Sequence, residues 1–512
     1  MSDTTAEPAE AAEAAPGLFQ QSMLLVTVTF VTMLYAMTVT IANVSLPQMQ
    51  GSLSTTPDQI AWIVTFNIVA TAVVTPIAGW LDARFGRRRL MIWGIVGFGV
   101  SSVLCGLATS VEELVLYRIA QGAFGAPLVP LSQAIVIESF EERIRQRVMS
   151  IWGTGVILGP IIAPAIGGAL SEDYGWRWVF FMLVPFTVIA LLGVIAFIKR
   201  RTGPRPEARL DWTGFAALAV VITALQLMLD RGERAGWFDS FEILIYAGLC
   251  IGGFWFFIVR NFQSPKPFLN PAILGDRNFV VGLILIFIFG MLNFTPITLL
   301  PTLLQSVQGY PDSIIGQILS ARGAGTFLGF GILFLIGGLD PRIIMGVGLV
   351  LQTWSGWIMT GFTVDVSTFD VLMASAIQGF GVGMVWVPLS IVTFATLPKP
   401  LVPDGTAIFH LSRNIGSSVF ISVAIAWVIR STQVSYAEIV PNVTPFAEAF
   451  RMPGVDMALE PDNAGQMARI GGEVARQATM IGYIDGFWLF TAAATIAIPL
   501  VFLVRVKPPA AA

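Results

Sequence analysis

The sequence predicts an all-α integral membrane protein with fourteen transmembrane helices, arranged as two six-helix bundles plus one inserted helix pair. Three observations lead to this fold class: an apolar composition, fourteen apolar runs of membrane-spanning length, and a weak internal repeat. Of the 512 residues, 55% are hydrophobic and only 12% are charged, about half the charged share of soluble domains. Such a composition excludes an ordinary soluble globule.

Each apolar run is long enough to cross a bilayer core of about 30 Å, which takes roughly 20 residues of helix. The runs do not alternate with a period of two residues, so helices are favoured over a membrane β-barrel. The first run lacks a basic leader and a small-residue cleavage site, so we expect it to be retained. The predicted spans 1 to 14 are 22–46, 59–80, 90–108, 112–138, 148–170, 178–198, 212–229, 241–259, 279–304, 313–336, 343–361, 369–395, 407–429 and 486–504.

Lysine and arginine are distributed unevenly between the two sides of these spans. If the N-terminus lies inside, the inner loops and the C-terminal tail hold 19 of the 29 basic residues. The positive-inside rule then predicts a bacterial inner-membrane protein with both termini in the cytoplasm. The inner basic residues are Arg84, Arg87, Arg88, Arg89, Arg143, Arg145, Arg147, Lys199, Arg200, Arg201, Arg205, Arg209, Arg260, Lys266, Arg277, Arg342, Lys399, Arg505 and Lys507.

Two short sequence echoes indicate a duplication. GWLDAR at 79–84 recurs as GGLDPR at 337–342, and the Gln-Gly and Pro-Leu-Ser elements within 121–132 recur within 378–390, both at offsets of 257 to 258 residues. Spans 1 to 6 therefore correspond to spans 9 to 14, as in transporters built from parallel repeats around a central cavity.

The repeat divides the chain into four regions. We expect the long outer loop to include a helix over 464–478. The regions are a cytoplasmic tail (1–21), a first bundle (22–198), a basic linker with inserted spans 7 and 8 (199–278), and a second bundle (279–512) with an outer loop at 431–485.

Several motifs resemble those of one transporter family. GWLDARFGRR resembles the loop motif of the major facilitator superfamily, RIAQGAFGAPLVPLSQA its span 4 signature, and GTGVILGPIIAPAIGG the antiporter motif of span 5. Further motifs are most similar to EmrB-type members of the fourteen-span drug/proton antiporter branch. The motifs lie at 79–88, 118–134, 153–168, 175–185, 211–214 and 227–238.

Two positions depart from the family pattern. Thr38 stands where the family usually has an aspartate in span 1, and Asp82 comes one residue early in the loop motif. On a helix, one residue is a rotation of about 100°. The departures weaken any transfer of the family's charge relay to these two positions.

The resemblance implies a proton-coupled exporter of lipophilic or cationic compounds that works by alternating access. It implies energy from the proton gradient without a cofactor, and a periplasmic adaptor and outer-membrane channel as partners. Export of an endogenous metabolite, fatty acid or lipid stays open, as does a receptor or scaffold that transports nothing. An enzyme is disfavoured because no nucleophile–base pair or metal cluster is visible, and His410 is the only histidine. A nucleic-acid partner is not expected.

The loop motif is a candidate cytoplasmic latch whose charge pairs break and reform as the bundles rock. The alternative is a topology anchor with arginines near the lipid headgroups. The latch residues are Gly79, Asp82, Arg84, Gly86, Arg87 and Arg88.

Charges inside the spans are candidates for proton coupling. Arg118 lies six residues beyond Glu112, about 9 Å along the helix, and a charge at that depth costs about 2.5–3.5 kcal/mol on insertion scales. The resemblance implies a role for Arg118 in proton transfer, and a structural hydrogen bond is the alternative. Arg322 and Arg413 raise the same question. Glu138 is the best candidate for the proton-carrying carboxylate, although it is also able simply to end its helix.

Span 5 carries the antiporter motif, whose glycines predict close helix packing and whose prolines predict bends. We expect a seam between the bundles there, with ordinary small-residue packing as the alternative. The motif residues are Gly155, Gly159, Pro160, Pro164, Gly167 and Gly168.

A polar stripe on span 1 and a polar face on span 13 predict the substrate cavity. His410 and Asn414 share that face with Arg413 by their three- and four-residue spacing, although a lone histidine is more often a satisfied interior residue. The cavity candidates are Thr32, Thr40, Asn43, Gln121, His410 and Asn414.

Overall fold

The computed structural model describes residues 18–199, 210–264, 267–310, 312–335, 339–443 and 464–505. Helices make up nearly all of this part of the chain. They are α1 (Leu18–Val44), α2 (Leu46–Ser52), α3 (Pro57–Val74), α4 (Ala78–Phe85), α5 (Arg87–Leu107), α6 (Val111–Gly125), α7 (Leu128–Ser139), α8 (Glu142–Tyr174), α9 (Arg177–Phe181), α10 (Leu183–Phe197), α11 (Trp212–Arg231), α12 (Phe241–Gln263), α13 (Pro271–Gly275), α14 (Arg277–Ser306), α15 (Asp312–Leu335), α16 (Pro341–Thr360), α17 (Thr368–Phe394), α18 (Val402–Ile439) and α19 (Ala464–Leu500).

The helices confirm the predicted all-α membrane fold. In the described ranges, thirteen helical stretches are long and apolar enough to cross a bilayer. The predicted span 5 lies in α8, a helix of 33 residues that is long enough to cross although glycine and charged residues make it less apolar. Together they account for the fourteen predicted spans.

Proline interrupts two of the spans. Span 2 consists of α3 and α4, joined by a 3₁₀ turn at Thr75–Ile77 that contains Pro76. Span 4 consists of α6 and α7, which are separated by Ala126 and Pro127. Proline lacks the N–H that the helix ladder needs and its ring clashes with the preceding turn, so each break falls where the sequence requires it.

The region predicted as one outer loop, 431–485, is helical at both ends. Helix α18 continues to Ile439, and α19 begins at Ala464 and runs through span 14 to Leu500. The helix expected over 464–478 is therefore the first part of α19. The connection at 444–463 lies outside the described residues, as does most of the basic linker, 200–209.

The helices pack mainly within the two sets that the repeat predicts. In the first set, α1 packs on α8 and α10, α3 on α6, and α5 on α6 and α10. In the second set, α17 packs on α15 and α16, α14 on α18, and α19 on α16 and α18. The inserted helices α11 and α12 pack on each other, and α11 also contacts α3 and α18, one helix from each set.

Asp211 fixes the start of the inserted pair. Its carboxylate accepts hydrogen bonds from the Gly214 N–H and the Thr213 hydroxyl, and it pairs with Arg260 of α12 at 3.3 Å. Burial would raise the pKa of Asp211, but these hydrogen bonds and the arginine outweigh burial and lower the pKa. The charged carboxylate therefore caps α11 and ties it to α12.

Candidate functional site

The end of the molecule where α4 and α7 finish and α18 begins holds a network of charges. We call it the arginine-rich end, defined by residues 84–89. Arg87 donates to Asp82 at 2.8 Å and to Glu138 at 2.8 Å. Gly86 joins α4 to α5 with a φ of 82°, a conformation that glycine adopts without strain. The turn places Arg87 between the carboxylates of Asp82 on α4 and Glu138 on α7.

The remaining arginines of the predicted latch have different environments. Arg88 donates to the backbone carbonyl of Ile195 on α10 at 2.7 Å. Arg84 lies exposed in the last turn of α4, where a cation interacts favourably with the negative end of the helix dipole. The structure thus brings Asp82, Arg87 and Glu138 together, whereas Arg88 is bonded to α10.

Gly79 lies against the second bundle. A Cβ atom at Gly79 would overlap the carboxylate of Asp404, which lies in the first turn of α18. Asp82 lies one turn after Gly79 on the same face of α4, and the charges of Asp82 and Asp404 repel each other. Sequence reasoning missed Asp404 because it precedes the predicted span 13, in a proline-containing stretch whose hydropathy does not read as a span.

Arg118 is fully enclosed in the first bundle, with 1% of its surface exposed. Its guanidinium donates to the Gln121 side chain at 2.6 Å and to the Ile63 carbonyl at 3.2 Å. Gln121 in turn donates to the hydroxyl of Ser102 at 2.7 Å, and Asn67 donates to the Arg118 carbonyl at 2.8 Å. Arg118 therefore links α6 to α3 and, through Gln121, to α5.

Arg322 has a similar environment in the second bundle. Its guanidinium donates to the side chain of Gln378 on α17 at 2.6 Å and to the side chain of Asn293 on α14 at 2.6 Å. Gln378 donates onward to the carbonyl of Leu292 at 3.2 Å. Neither Arg118 nor Arg322 makes an ion pair with a described carboxylate, so both rely on neutral oxygen acceptors.

Arg413 is less well partnered. It contacts the side chain of its neighbour Asn414 at 3.2 and 3.4 Å, and its guanidinium carbon lies 5.3 Å from the ring centre of Trp386. His410, one turn earlier on α18, lies 2.5 Å from the Gln133 side chain of α7. The described residues place no carboxylate in contact with Arg413.

Two of the predicted cavity residues serve packing. Thr32 is fully buried between α1 and α8, where its hydroxyl accepts from the Trp152 indole at 3.0 Å and donates to the Val28 carbonyl. Gln121 is fully buried beside Arg118. Both side chains are hydrogen-bonded within the first bundle, and their predicted place at a cargo site stays a prediction.

The side chains of Thr40 and Asn43 lie outside the described residues, so their predicted role is not addressed. The same holds for the surroundings of two antiporter-motif residues, Pro164 and Gly168, although both lie within α8.

Three glycines of the antiporter motif, Gly155, Gly159 and Gly167, face α1 inside the first bundle. A Cβ at Gly155 would overlap the Thr29 carbonyl, and a Cβ at Gly159 would lie 2.6 Å from the Met33 carbonyl. Gly167 follows on the same face, against Ile41. These three glycines therefore allow close packing of α8 on α1, and the seam between the bundles that we expected at this motif stays a prediction. Pro160 lies among them, half-buried.

The bundles meet towards the arginine-rich end. In the first half of α8, Gly153 lies against the ring of Phe330 on α15, and the Arg147 guanidinium lies 5.8 Å from the ring centre of Phe334. On the other side, α18 packs on α4 and α7. Among the described residues, no cluster of histidine, cysteine, aspartate and glutamate is able to hold a metal ion.

The chain is similar to transporters over nearly its whole length. The sequence profile of the family described as Major Facilitator Superfamily matches residues 28–421. The Multidrug export protein EmrB of Escherichia coli (strain K12) is 29% identical over 510 residues, covering 96% of each protein. The Fatty acid resistance protein FarB of Neisseria gonorrhoeae is 29% identical over 478 residues, covering 92% of this chain and 93% of FarB. In three dimensions, the proton:xylose symporter XylE matches with a TM-score of 0.62 at 12% identity, covering 94% of this chain and 95% of that protein.

Proposed function

The chain belongs to the major facilitator superfamily, and we propose that this multi-pass inner-membrane protein exports lipophilic drugs in exchange for protons. The full-length similarity to a multidrug export protein supports the cargo class. The proton gradient supplies the energy, and neither a cofactor nor a catalytic reaction is part of the proposal.

One observation carries the mechanism: the contacts between the bundles described above cluster towards the arginine-rich end. Asp404 lies against Gly79, and His410 contacts Gln133, two turns from the end of α7. Bundles that touch at one end leave room for a path at the other. Rocking about the middle of the membrane would then exchange the open and closed ends.

The positive-inside rule supports placing the arginine-rich end in the cytoplasm. With that orientation the contacts above close the cytoplasmic side, both termini lie in the cytoplasm, and α19 begins outside the membrane. The outer ends of α18 and α19 extend beyond the predicted spans, and we propose them as the contact for a periplasmic adaptor that leads to an outer-membrane channel.

We propose the charge network at this end as the latch and the site of proton coupling. Glu138 is held by Arg87, so protonation of Glu138 would remove one of the two ion pairs of that arginine. Asp404 faces Asp82 across the bundle interface, so a proton on Asp404 would relieve their repulsion and favour closure. The two carboxylates belong to different bundles, which links proton uptake to movement.

Export of fatty acids by the same route is the second candidate. It is favoured by the similarity to FarB and by Arg413, a cation that faces the bundle interface without a described carboxylate partner. A receptor or scaffold that transports nothing has no such observation in its support.

Proteoliposomes with an imposed pH gradient test the proposal. The parent protein should drive uptake or release of a lipophilic dye that stops when an ionophore collapses the gradient. Glu138→Gln and Asp404→Asn should each lower gradient-driven flux at least tenfold while leaving counterflow without a gradient measurable, because only the proton step is changed. Gradient-driven flux at the parent level in both variants would contradict their role, and absence of any flux in the parent would contradict the transporter itself.

A further inference from the structure

Two buried donors without acceptors lie in the side-chain cluster that contains Arg413. The indole N–H of Trp386 and the side-chain nitrogen of Gln133 have no hydrogen-bond partner, although Trp386 is 3% and Gln133 is 0% exposed. Leaving a buried donor unsatisfied costs about 1–3 kcal/mol, and buried polar atoms in proteins are nearly always paired. Two such donors beside an arginine indicate that an acceptor belongs among them.

These side chains form one continuous cluster that bridges the bundles. The Arg413 guanidinium lies over Trp386 at 5.3 Å, the Trp386 and His410 rings are 6.1 Å apart, and His410 contacts Gln133 at 2.5 Å. Gln133 comes from α7 of the first bundle, and the other three come from α17 and α18 of the second. A ligand held by the cluster would therefore contact both moving parts.

The cluster lies inside the membrane-spanning helices, in the half towards the arginine-rich end. Arg413 is eleven residues after Val402, the first residue of α18, which corresponds to about 16 Å along the helix axis. The hydrocarbon core is about 30 Å thick. A guanidinium at that depth is expensive unless it has a counter-charge or an aqueous cavity, and no carboxylate among the described residues pairs with it.

Apolar rings border the cluster. Phe289 and Phe409 lie 5.2 and 6.0 Å from Trp386, measured between ring centres. The surroundings therefore offer a cation and neutral N–H donors on one side and aromatic surface on the other. This combination suits a molecule with an anionic head and an apolar body.

We propose that Arg413, Trp386 and Gln133 bind the anionic head, such as a carboxylate, of an amphipathic cargo. The proposal rests on the transporter function above and deepens it by naming the charge of the preferred substrate. Arginine presents paired N–H donors that match the two oxygens of a carboxylate, and the indole and amide donors supply neutral hydrogen bonds. The same arginine would repel a cationic head.

Three probes that share the same apolar tail distinguish the effect of head-group charge on binding from the effect of hydrophobicity. Dodecanoate, dodecanol and dodecylamine should be titrated calorimetrically into the full-length protein in phosphatidylcholine nanodiscs, at a pH where the acid is ionised and the amine protonated. We expect dodecanoate to bind at least tenfold more tightly than the other two. Equal affinities for the three probes, or a preference for the amine, would overturn the proposal.

Variants separate the head-group site from general damage. Arg413→Gln should abolish the preference for dodecanoate over dodecanol, and Trp386→Phe should weaken dodecanoate binding severalfold because it keeps the ring and removes the N–H. Arg413→Lys should retain part of the preference. Arg430→Gln, an exposed arginine on the same helix, is the matched control and should bind like the parent. A preference that survives Arg413→Gln would overturn the assignment.

Two further measurements identify the source of the anion and distinguish failure of the anion site from failure of the proposed transport function. Added phosphatidylglycerol should not displace dodecanoate; displacement at a low lipid fraction would assign the site to a resident lipid and overturn the cargo assignment. A parent protein that selects dodecanoate but drives no flux in proteoliposomes would contradict the proposed function and leave the anion site standing. A parent protein that drives dye flux but shows no head-group preference would contradict the anion site and leave the proposed transport function standing.

Discussion

In the first bundle, Arg118 lies on the same helix as the glutamine that it contacts, whereas in the second bundle Arg322 reaches its glutamine from another helix. The two glutamines, Gln121 and Gln378, are repeat-related, at an offset of 257 residues. Both are fully buried and accept from a guanidinium at 2.6 Å. The two bundles therefore share a buried guanidinium–glutamine contact, although the arginine lies on non-equivalent helices.

The glycines beside the glutamines show which positions correspond. Gly122 lies against the backbone carbonyl of Asn67 on α3, and Gly379 lies against the backbone carbonyl of Arg322 on α15. Asn67 and Arg322 thus occupy equivalent places. In the first bundle that position is occupied by Asn67, and the arginine, Arg118, lies on α6. In the second bundle Arg322 occupies the equivalent position. Ser375, which lies 257 residues after Arg118 and so corresponds to it in the repeat, has a buried hydroxyl without a hydrogen-bond partner.

Removing either buried arginine should have the largest effect. Arg118→Ala and Arg322→Ala should each lower the free energy of unfolding by about 3 kcal/mol, because each opens a cavity and leaves buried acceptors unpaired. Arg322→Ala should be the more damaging to packing, because Arg322 joins three helices through side chains that have few other partners. Apparent Tm in detergent and gradient-driven flux are the measurements. A variant of either kind with parent-level Tm would show that the contact is dispensable.

Replacing the glutamines tests whether the acceptor or only the volume matters. Gln121→Leu and Gln378→Leu should each cost about 2 kcal/mol, because a buried charged donor loses its acceptor. Gln121→Glu and Gln378→Glu should recover most of that loss, since a carboxylate accepts the same hydrogen bond and adds an opposite charge. If the leucine and glutamate variants have equal apparent Tm, the hydrogen bond is not what holds the arginine.

The sequence located the three arginines and, for Arg118 and Arg413, a polar neighbour on the same helix, but not their partners on other helices. Arg118, Arg322 and Arg413 stand out because a charge within an apolar run is costly. Gln378 is 56 residues from Arg322, and no spacing rule connects residues on separate helices. The uncharged donors of Trp386 and Gln133 carry no signal of their own, since both residue types are also ordinary interior residues.

The fold class, by contrast, could be predicted almost completely, because the length and apolarity of each span are local properties. The errors fell where polarity misleads. Asp404 and the proline before it made the start of α18 look like a loop. Within α8, Gly155 and Gly159 pack on α1, whereas Gly153 meets α15 of the second bundle. Which helix a glycine faces depends on the assembled bundle.

The repeat-related glycines give the next prediction. Gly122→Ala and Gly379→Ala should each destabilise by about 1–2 kcal/mol, because the added methyl group would overlap a backbone carbonyl that is unable to rotate away. Alanine's higher helix propensity offsets up to about 1 kcal/mol of this. Gly331→Ala is the control: Gly331 lies on α15 with no atom within 4 Å of an added Cβ, so it should keep or raise the apparent Tm. If all three variants lose a similar amount of stability, the effect comes from helix geometry and not from the contact of the glycine with a backbone carbonyl.

The smallest effect on stability should come from the arginine that has the fewest partners. Arg413→Gln should leave apparent Tm within about 2 °C of the parent. In the described part of the chain, the hydrogen bonds of Arg413 go to Asn414, beside the face of Trp386, and removing a charge that no carboxylate pairs with from the membrane interior is itself favourable. The contrast with Arg118→Ala separates arginines that hold the bundles together from one that is kept for a ligand. A loss of Tm as large as that of Arg118→Ala would show that Arg413 is a structural arginine. If added dodecanoate raises the Tm of the parent but not that of Arg413→Gln, Arg413 binds the cargo.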